Sequence, residues 1–519
     1  MSTQAAKTNI VFFFVDDMGY GDASCLNPHG RIKTPNIDRL ACEGMKFTDA
    51  HSSSAVCSPS RYSVLTGRYN WRSRLQQGIV EVYGDPLIAA DRLTVPGFLK
   101  QHGYHSACIG KWHLGQGWDF EADEDFRPAH GYDSTPAHNL QASEQQRLRW
   151  RAAFQKPTTG GPTRRGFDYY FGVDIPNWPP YCFIENDHTV GIPSEFLPAR
   201  LLGSNQASLQ GPAMPYWHFE QLLPTWAEKA DCYIRERAEA AEPFFLYLPM
   251  TSPHTPLSVN KPFIGKSGLN NLYADLVIET DDVFGRVLDS LARHGVADNT
   301  LVIFASDNGC APYIGARDLE EQGHFPSGPY RGYKSDAWDG GHRIPCVARW
   351  PGMIKPGTEC GSLVCLSDLM ATCADIVGAE LPDNAGEDSF SMMPLFRGTD
   401  ISGRKTMVHH SISGKFAIRQ GQWKLVLCPG SGGWTLDDAE AARSGRPLVQ
   451  LYDIQADPGE THNLQAEQPE KVKELVHSLK QLVADGRSTP GPKQENDVPV
   501  DIWKLDTMPE VDAALLDDY

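Results

Sequence analysis

The chain has 519 residues, 41% hydrophobic and 22% charged, the balance of a globular protein and not of a disordered or fibrous one. That length exceeds one compact core and calls for two or more domains, or one large α/β unit with an appendage. With 65 acidic against 47 basic residues the net charge is −18, which argues against nucleic acid or anionic membrane as the main partner but allows a local basic pocket for a small anion.

In chain order, Asn9 to Val15 is a continuous apolar run, as suits a strand buried on both faces. It ends in Asp16-Asp17-Met18-Gly19, and carboxylates just past a strand's C-terminal end sit where open α/β sheets hold ligands. Two adjacent aspartates repel unless something positive lies between them, and a hard divalent cation fills that role. A helix opens at Thr34-Pro35 and closes at Gly44, and Met45 to Thr48 reads as a strand. Next comes Ala50 to Arg68, with Cys57-Ser58-Pro59-Ser60-Arg61 and Leu65-Thr66-Gly67-Arg68. Pro59 suits a first helical turn and the neighbouring serines suit its cap, so Cys57 is expected at a helix N-terminus, where N–H groups favour negative charge. Arg61 falls one turn on, on the same face.

A helix from Thr94 to Gly103 precedes a strand from Tyr104 to Ile109, which delivers Gly110-Lys111-Trp112-His113-Leu114-Gly115. In an extended segment Lys111 and His113 face one side, a cation and a base together. From about Asp119 to Ala230 the pattern is irregular and rich in Pro, Gly, Trp and Tyr, which reads as functional loops that select substrate. Helices follow over Thr225 to Arg237 and Ala274 to Leu291, and strands over Phe244 to Leu248 and Thr300 to Ala305. The first strand leads to Ser252-Pro253-His254, the second to Ser306-Asp307-Asn308-Gly309. With Asp16 and Asp17, Asp307 and Asn308 make four oxygen donors at one sheet edge, which is hard-cation chemistry and not that of zinc. A cationic turn carries Lys334, His342 and Arg343 into a strand from Cys346 to Trp350, and a helix starts near Ser367-Asp368-Leu369. Composition shifts near Phe396 to Arg404. Beyond it come a hairpin around Gly421, a strand at Leu451 to Asp453, a helix from Glu470 to Ala484, and an acidic, Pro-rich tail expected to drape over the surface.

Alternating strands and helices predict a mostly parallel α/β sheet with helices on both faces. The Cys-x-Pro-x-Arg segment followed by Leu-Thr-Gly-Arg resembles the signature of the type I sulfatases. The likeness extends through Asp16-Asp17, Gly-Lys-Trp-His-Leu-Gly, Ser-Pro-His, Ser-Asp-Asn-Gly, the Lys334 to Gly341 turn, and Leu451-Tyr452-Asp453 to Glu460. The resemblance implies an alkaline-phosphatase-like α/β domain over residues 1–398 and a smaller C-terminal domain with a short antiparallel sheet over 399–519. It implies that Cys57 is converted to Cα-formylglycine by a maturation enzyme. It implies that Asp16, Asp17, Asp307, Asn308 and the modified Cys57 hold Ca²⁺, less readily Mg²⁺. Arg61, Lys111 and Lys334 then orient the nucleophile and neutralise sulfate, His254 protonates the leaving alcohol, and His113 is the base that expels sulfate. Arg343 is a candidate brace. His342 departs from the family pattern and either touches substrate or packs.

The implied activity is hydrolysis of a sulfate monoester, either an aryl sulfate or, preferred here, a sulfated saccharide stacked on Trp178, Tyr181 and Trp217. The alternatives are a formylglycine-dependent phosphodiesterase or phosphonate monoester hydrolase, and an inactive sulfate-ester-binding protein. No apolar run is long enough to span a bilayer. The first residues lack the order of a signal peptide, so the chain as written reads as cytoplasmic, or as periplasmic or secreted if a leader was trimmed. Twelve scattered cysteines read mostly as free thiols.

Overall fold

The computed structural model describes residues 7–130, 140–203, 207–399, 403–504 and 507. A ten-stranded mixed sheet forms its spine. At the centre, strands Thr300–Ser306, Asn9–Asp16, Phe244–Pro253, His105–Lys111 and Tyr169–Val173 lie side by side, all parallel. Cys346–Arg349 pairs antiparallel with Thr300–Ser306 on one flank, and the short Ile184–Glu185 strand pairs antiparallel with Tyr169–Val173 on the other.

The apolar run at Asn9 is explained by what covers it. Val11, Phe13 and Val15 point into a core under the helices Pro35–Glu43, Leu222–Ala240 and Leu272–Arg293. Ile10, Phe12 and Phe14 point into a second core under the helices Cys57–Thr66, Val95–Gln101 and Leu369–Val377. With both faces buried, no polar residue can alternate in. The chain leaves the five parallel strands at Asp16, Lys111, Pro253, Ser306 and Val173, so the polar clusters around Asp16, Lys111, His254 and Asp307 emerge at one edge.

A second sheet of four antiparallel strands, Thr406–His410, Phe416–Gln420, Trp423–Val426 and Gln450–Asp453, lies beyond residue 403. Gly421 turns its central hairpin at φ 58°, a conformation that favours glycine. One face packs on helix Pro469–Asp485 through Phe416, Ile418, Leu425, Leu475 and Leu479. The first of these strands was not expected.

Two other readings need correction. The Asp119–Ala230 region is not uniformly irregular: helix Glu144–Phe154 opens on a capping box between Ser143 and Gln146, a signal present in the sequence. The tail is also more than a surface drape. Asp497 pairs with Arg68 at 3.0 Å, and Asn496 accepts from Arg72 at 3.0 Å, tying the tail to buried arginines just after the Cys57 helix. Among the described residues no helix is long and apolar enough to cross a membrane.

Candidate active site

Cys57 is the first residue of helix Cys57–Thr66, all ten residues of which are buried. Val56 is the N-cap and supplies no side-chain acceptor. The expected serine cap is absent because the hydroxyls are engaged elsewhere: Ser58 accepts from Val80 N–H at 3.1 Å, and Ser60 donates to the Ser54 and Val56 carbonyls. The helix closes at Gly67, φ 64°, where an added Cβ would lie 2.7 Å from that of Met370.

Around the thiol, ligand atoms of Asp16, Asp17, Cys57 and His254 all lie within 4.8 Å of one another. Lys111 Nζ donates to Asp16 Oδ2 at 2.7 Å, and Lys334 Nζ lies 2.7 Å from the Asp17 carboxylate. Arg61 donates to Asp307 Oδ2 at 2.8 Å and stands 3.3 Å from Asp16 Oδ1. Asp17 N–H donates to Asp307 Oδ1, and Asn308 Nδ2 to Asp17 Oδ1 at 2.8 Å. Three buried carboxylates thus face three buried cations. Asp17 at φ 67°, His113 at φ 54° and Ser335 at φ 85° hold left-handed backbone that side chains other than glycine rarely adopt, and such strain concentrates at functional sites.

The electrostatics divide these groups. Burial pulls the Asp16 carboxyl up, but Lys111, His254 and Arg61 together hold it well below the usual range. Burial and the neighbouring Asp16 charge push Asp307 up to about 7, against Arg61. Burial opposes the charge on Lys334, and Asp17 overrides it, so the ammonium persists. Burial and then Lys334 lower His254 to about 4, and burial with Lys111 and Arg61 holds His113 well below the ordinary imidazole value. Burial also raises the Cys57 thiol, so an unmodified Cys57 is not a ready thiolate.

Hydrogen bonds fix the imidazole tautomers. His113 Nε2–H donates to the Val80 carbonyl at 3.1 Å, so Nδ1 carries the lone pair, and Nδ1 is buried without a partner. His254 Nδ1–H donates to Thr255 O at 2.6 Å, which leaves Nε2 facing Asp17 Oδ2 at 3.6 Å. The extended alternation expected of Lys111 and His113 does not occur. The strand ends at Lys111 and His113 turns left-handed, although both remain beside Asp16.

Asp16 Oδ1 and Asn308 Oδ1 are likewise buried without a hydrogen bond, Asp16 Oδ1 having only the 3.3 Å approach of Arg61. An unpaired buried oxygen costs about 1–3 kcal/mol, so two at one strand-end edge, beside Asp17, fit a hard cation. Asp307 is tied more closely to Arg61 and to the Asp17 amide. One residue was missed. Asp174 follows strand Tyr169–Val173, is buried with Oδ1 unpartnered, and is pushed by burial up to about 7. Its position past a parallel strand was the available signal.

Other expectations are corrected. Of the three aromatics proposed to stack on sugar, Tyr181 and Trp217 are core residues. Tyr181 donates to the Asn177 carbonyl at 2.7 Å, and Trp217 packs on Phe183. Only Trp178 reaches the cluster, edge-on to His113 at 6.3 Å. Arg343 braces Asp49 and Asp339, 3.0 Å from each, and not the strand-end cluster. His342 packs. It is fully buried, with Nδ1 3.0 Å from His51 Nδ1 and its ring stacked on His409 at 3.7 Å and 16°. Ligand atoms of His51, His342 and His409 lie within 4.8 Å of one another, but the His342–His409 stack sends the in-plane lone pairs of those two rings side by side and not to one point.

Comparison with known proteins agrees with the geometry. Residues 8–379 match the Sulfatase family model, and residues 334–489 match the model for the C-terminal part of N-sulphoglucosamine sulphohydrolase. An N-acetylgalactosamine-6-O-sulfatase of Bacteroides thetaiotaomicron is 32% identical, over 92% of this chain and 93% of that protein. Arylsulfatase A of Homo sapiens is 29% identical over 94% and 90%. A Bacteroides thetaiotaomicron structure from work on glycosaminoglycan metabolism superposes with a TM-score of 0.77 at 29% identity, over 92% of this chain and 99% of that one.

Proposed function

This chain belongs to the sulfatase family and hydrolyses sulfate esters, and from that premise we propose that its substrate is a sulfated saccharide cleaved at Cys57 after conversion to formylglycine. The observation that carries the reading is the convergence of Cys57 with Asp16, Asp17 and His254 within 4.8 Å, ringed by Lys111, Lys334 and Arg61. The saccharide preference is supported by the relative named N-acetylgalactosamine-6-O-sulfatase. Asp16, Asp17, Asp307 and Asn308 would hold one hard divalent cation, preferably Ca²⁺, because several protein oxygens converge whereas Mg²⁺ tends to keep its waters. The cation would supply fixed positive charge toward sulfate oxygens, and the formylglycine hydrate a hydroxyl nucleophile.

The chain's own residues do the rest. Lys111 and Lys334 offer ammonium groups to the sulfate oxygens in a buried, low-dielectric site, where charge stabilisation is strongest. Arg61, fixed by Asp307, orients the residue at position 57 from one helical turn away. His254 carries a proton on Nδ1 toward Thr255 O. A sulfate anion beside Nε2 favours protonation there, and that proton passes to the departing alcohol oxygen. His113 is held neutral with its lone pair on Nδ1, the state a general base needs. The same reading divides the chain into a catalytic unit over 1–398 and a C-terminal unit over 399–519.

Turnover of a panel of sulfated monosaccharides and disaccharides, an aryl sulfate and matched phosphate mono- and diesters tests the proposal. Saccharide sulfates should give the highest kcat/KM. A preference for a phosphate diester would overturn it.

A further inference from the structure

Beside the catalytic cluster lies a cleft of about 1040 Å³. It begins at Thr255 and Pro256, the two residues after His254, and is walled by Tyr313 and Trp434. Tyr313 is 42% and Trp434 47% exposed, unusual for large aromatics in a folded chain. Of the nine exposed large hydrophobic side chains among the described residues, four line this one cleft: Ile264, Leu272, Tyr313 and Trp434. Such concentration marks a binding surface, whereas scattered exposed residues do not.

The two rings are held in place. Their centroids lie 5.9 Å apart with planes at 42°. The Tyr313 phenol is hydrogen-bonded to Thr255 and lies within electrostatic reach of Lys334, Asp17 and Cys57. Trp434 comes from the other half of the chain. Its backbone N–H donates to Ser335 Oγ at 2.9 Å, and the Thr435 backbone N–H to Asp336 Oδ1 at 3.2 Å. Ser335 adjoins Lys334, so the turn that presents the ammonium to the nucleophile also fixes the tryptophan. The tryptophan therefore keeps register with the sulfate position.

We propose that Tyr313 and Trp434 form an aromatic wall that holds the leaving-group saccharide of the substrate. The proposal rests on the saccharide reading above. A sugar ring has an apolar C–H face, which an aromatic surface covers, and hydroxyl edges, which meet Thr255 and the exposed Glu220 and Arg200 at the far rim. The cleft starts at Thr255 and Pro256, directly after His254, and shares Phe219, Pro256 and Ser258 with the small pocket that His254 lines, so it adjoins the group that hands its proton to the leaving oxygen. The sequence pointed instead to Trp178, Tyr181 and Trp217, and two of those are core.

The test uses the full-length enzyme, wild type and three variants: Trp434→Ala, Trp434→Phe and Tyr313→Leu. Kinetics on the best sulfated saccharide should show KM raised roughly tenfold in Trp434→Ala and Tyr313→Leu, with kcat largely retained, the size of one good aromatic contact. Trp434→Phe should restore most of the loss. Competitive inhibition by inorganic sulfate should keep its Ki in all three variants, which shows that the fold and the sulfate site are intact. An unchanged saccharide KM in both truncation variants, with wild type active on saccharides, overturns the aromatic wall alone. A wild type that turns over aryl sulfates and no saccharide sulfate overturns the saccharide reading, and this proposal with it.

Discussion

Two buried charge clusters in this molecule have nearly the same inventory and differ in what they leave undone. At the strand-end edge, Asp16, Asp17 and Asp307 meet Arg61, Lys111 and Lys334. Where the four-stranded sheet meets the large one, Asp49, Asp339 and Glu460 meet Arg343, Arg419 and Lys424. In each, burial pushes one carboxyl, Asp307 or Glu460, up to about 7. At the seam two of the three carboxylates, Asp49 and Asp339, are saturated, and Glu460 Oε1, which lacks a hydrogen bond, lies 2.8 Å from Lys424. Asp49 takes both arms of Arg419 at 2.9 Å, His51 at 2.8 Å and Arg343 at 3.0 Å. At the edge, Asp16 Oδ1, Asn308 Oδ1, His113 Nδ1 and Arg61 Nε have no hydrogen-bond partner, and Asp16 Oδ1 has only the 3.3 Å approach of Arg61. Buried polar atoms are normally paired, so under the proposed function the unpaired set at the edge is where a cation and substrate would sit, and the paired set is architecture.

That contrast makes the largest expected effect Cys57→Ala. It should remove turnover by roughly 10⁴-fold or more, as loss of a nucleophile does, with the melting midpoint near wild type. Peptide mass spectrometry of the enzyme made with a maturation enzyme should show the Cys57 peptide without its sulfur. Full activity from a wholly unmodified thiol would collapse the distinction between the two clusters.

His254→Ala sharpens the comparison at the edge. General acid catalysis contributes about 10²–10⁴-fold, and the loss should approach that range for sugar sulfates, whose alkoxide leaves poorly. A nitrophenyl sulfate, whose phenolate leaves unaided, should lose far less. Equal losses on both would make His254 a structural residue.

Metal content tests the unpaired oxygens. Asp307→Ala should lower bound Ca²⁺, measured by elemental analysis after dialysis, and cut kcat/KM by about 10²-fold. Zinc in the fully active enzyme would contradict the oxygen-donor reading. Arg419→Met should do the reverse. Leaving Asp49 short of a partner should cost roughly 3–5 kcal/mol of stability in denaturant titrations while kcat/KM of the folded fraction holds.

The sequence made the edge legible and hid the seam, for a physical reason. Asp16, Lys111, His254 and Asp307 each follow an apolar run, so strand ends announce them one by one. Parallel topology then brings them together without further information. The seam draws Asp49, His51, Asp339, His342, His409, Arg419, Lys424 and Glu460 from short segments hundreds of residues apart, with no periodic signal around them. Only three stood out: Arg343 and His342 in the cationic turn, the latter as a departure from the family pattern, and Glu460 at the end of the Leu451 to Glu460 motif. Tyr313 and Trp434 were missed similarly, because exposure cannot be read from an aromatic letter, and the buried Tyr181 and Trp217 looked equally promising.

The smallest effect separates the clusters by pH. His51, His342 and His409 are lowered by burial, and His410 is lowered by burial and Lys504 to about 3. In the unfolded chain each titrates near 6.5. Below about pH 6.5 the unfolded state therefore binds protons that the folded state refuses, and stability falls as pH drops, by about 1.4 kcal/mol per pH unit for each such histidine. His113 and His254, also lowered, add to this slope from the edge. Asp49 works in a different window. Its partners hold its pKa below the usual carboxylate range, so its contribution is intact above about pH 4 and is lost only below that. Between about pH 6.5 and about 4.5 the lowered histidines pull stability down as pH falls, while the carboxyls raised to about 7, Asp307, Glu460 and Asp174, pull it the other way. His410, whose Nε2 meets Asn70 Oδ1 at 2.6 Å, touches neither the catalytic cluster nor the Asp49 pairs. His410→Asn should flatten the slope by about 1.4 kcal/mol per pH unit, read from denaturant titrations across that window, with the pH profile of kcat unmoved. An unaltered slope would mean that His410 is already protonated in the folded protein, and that this part of the seam is not as dry as its burial implies.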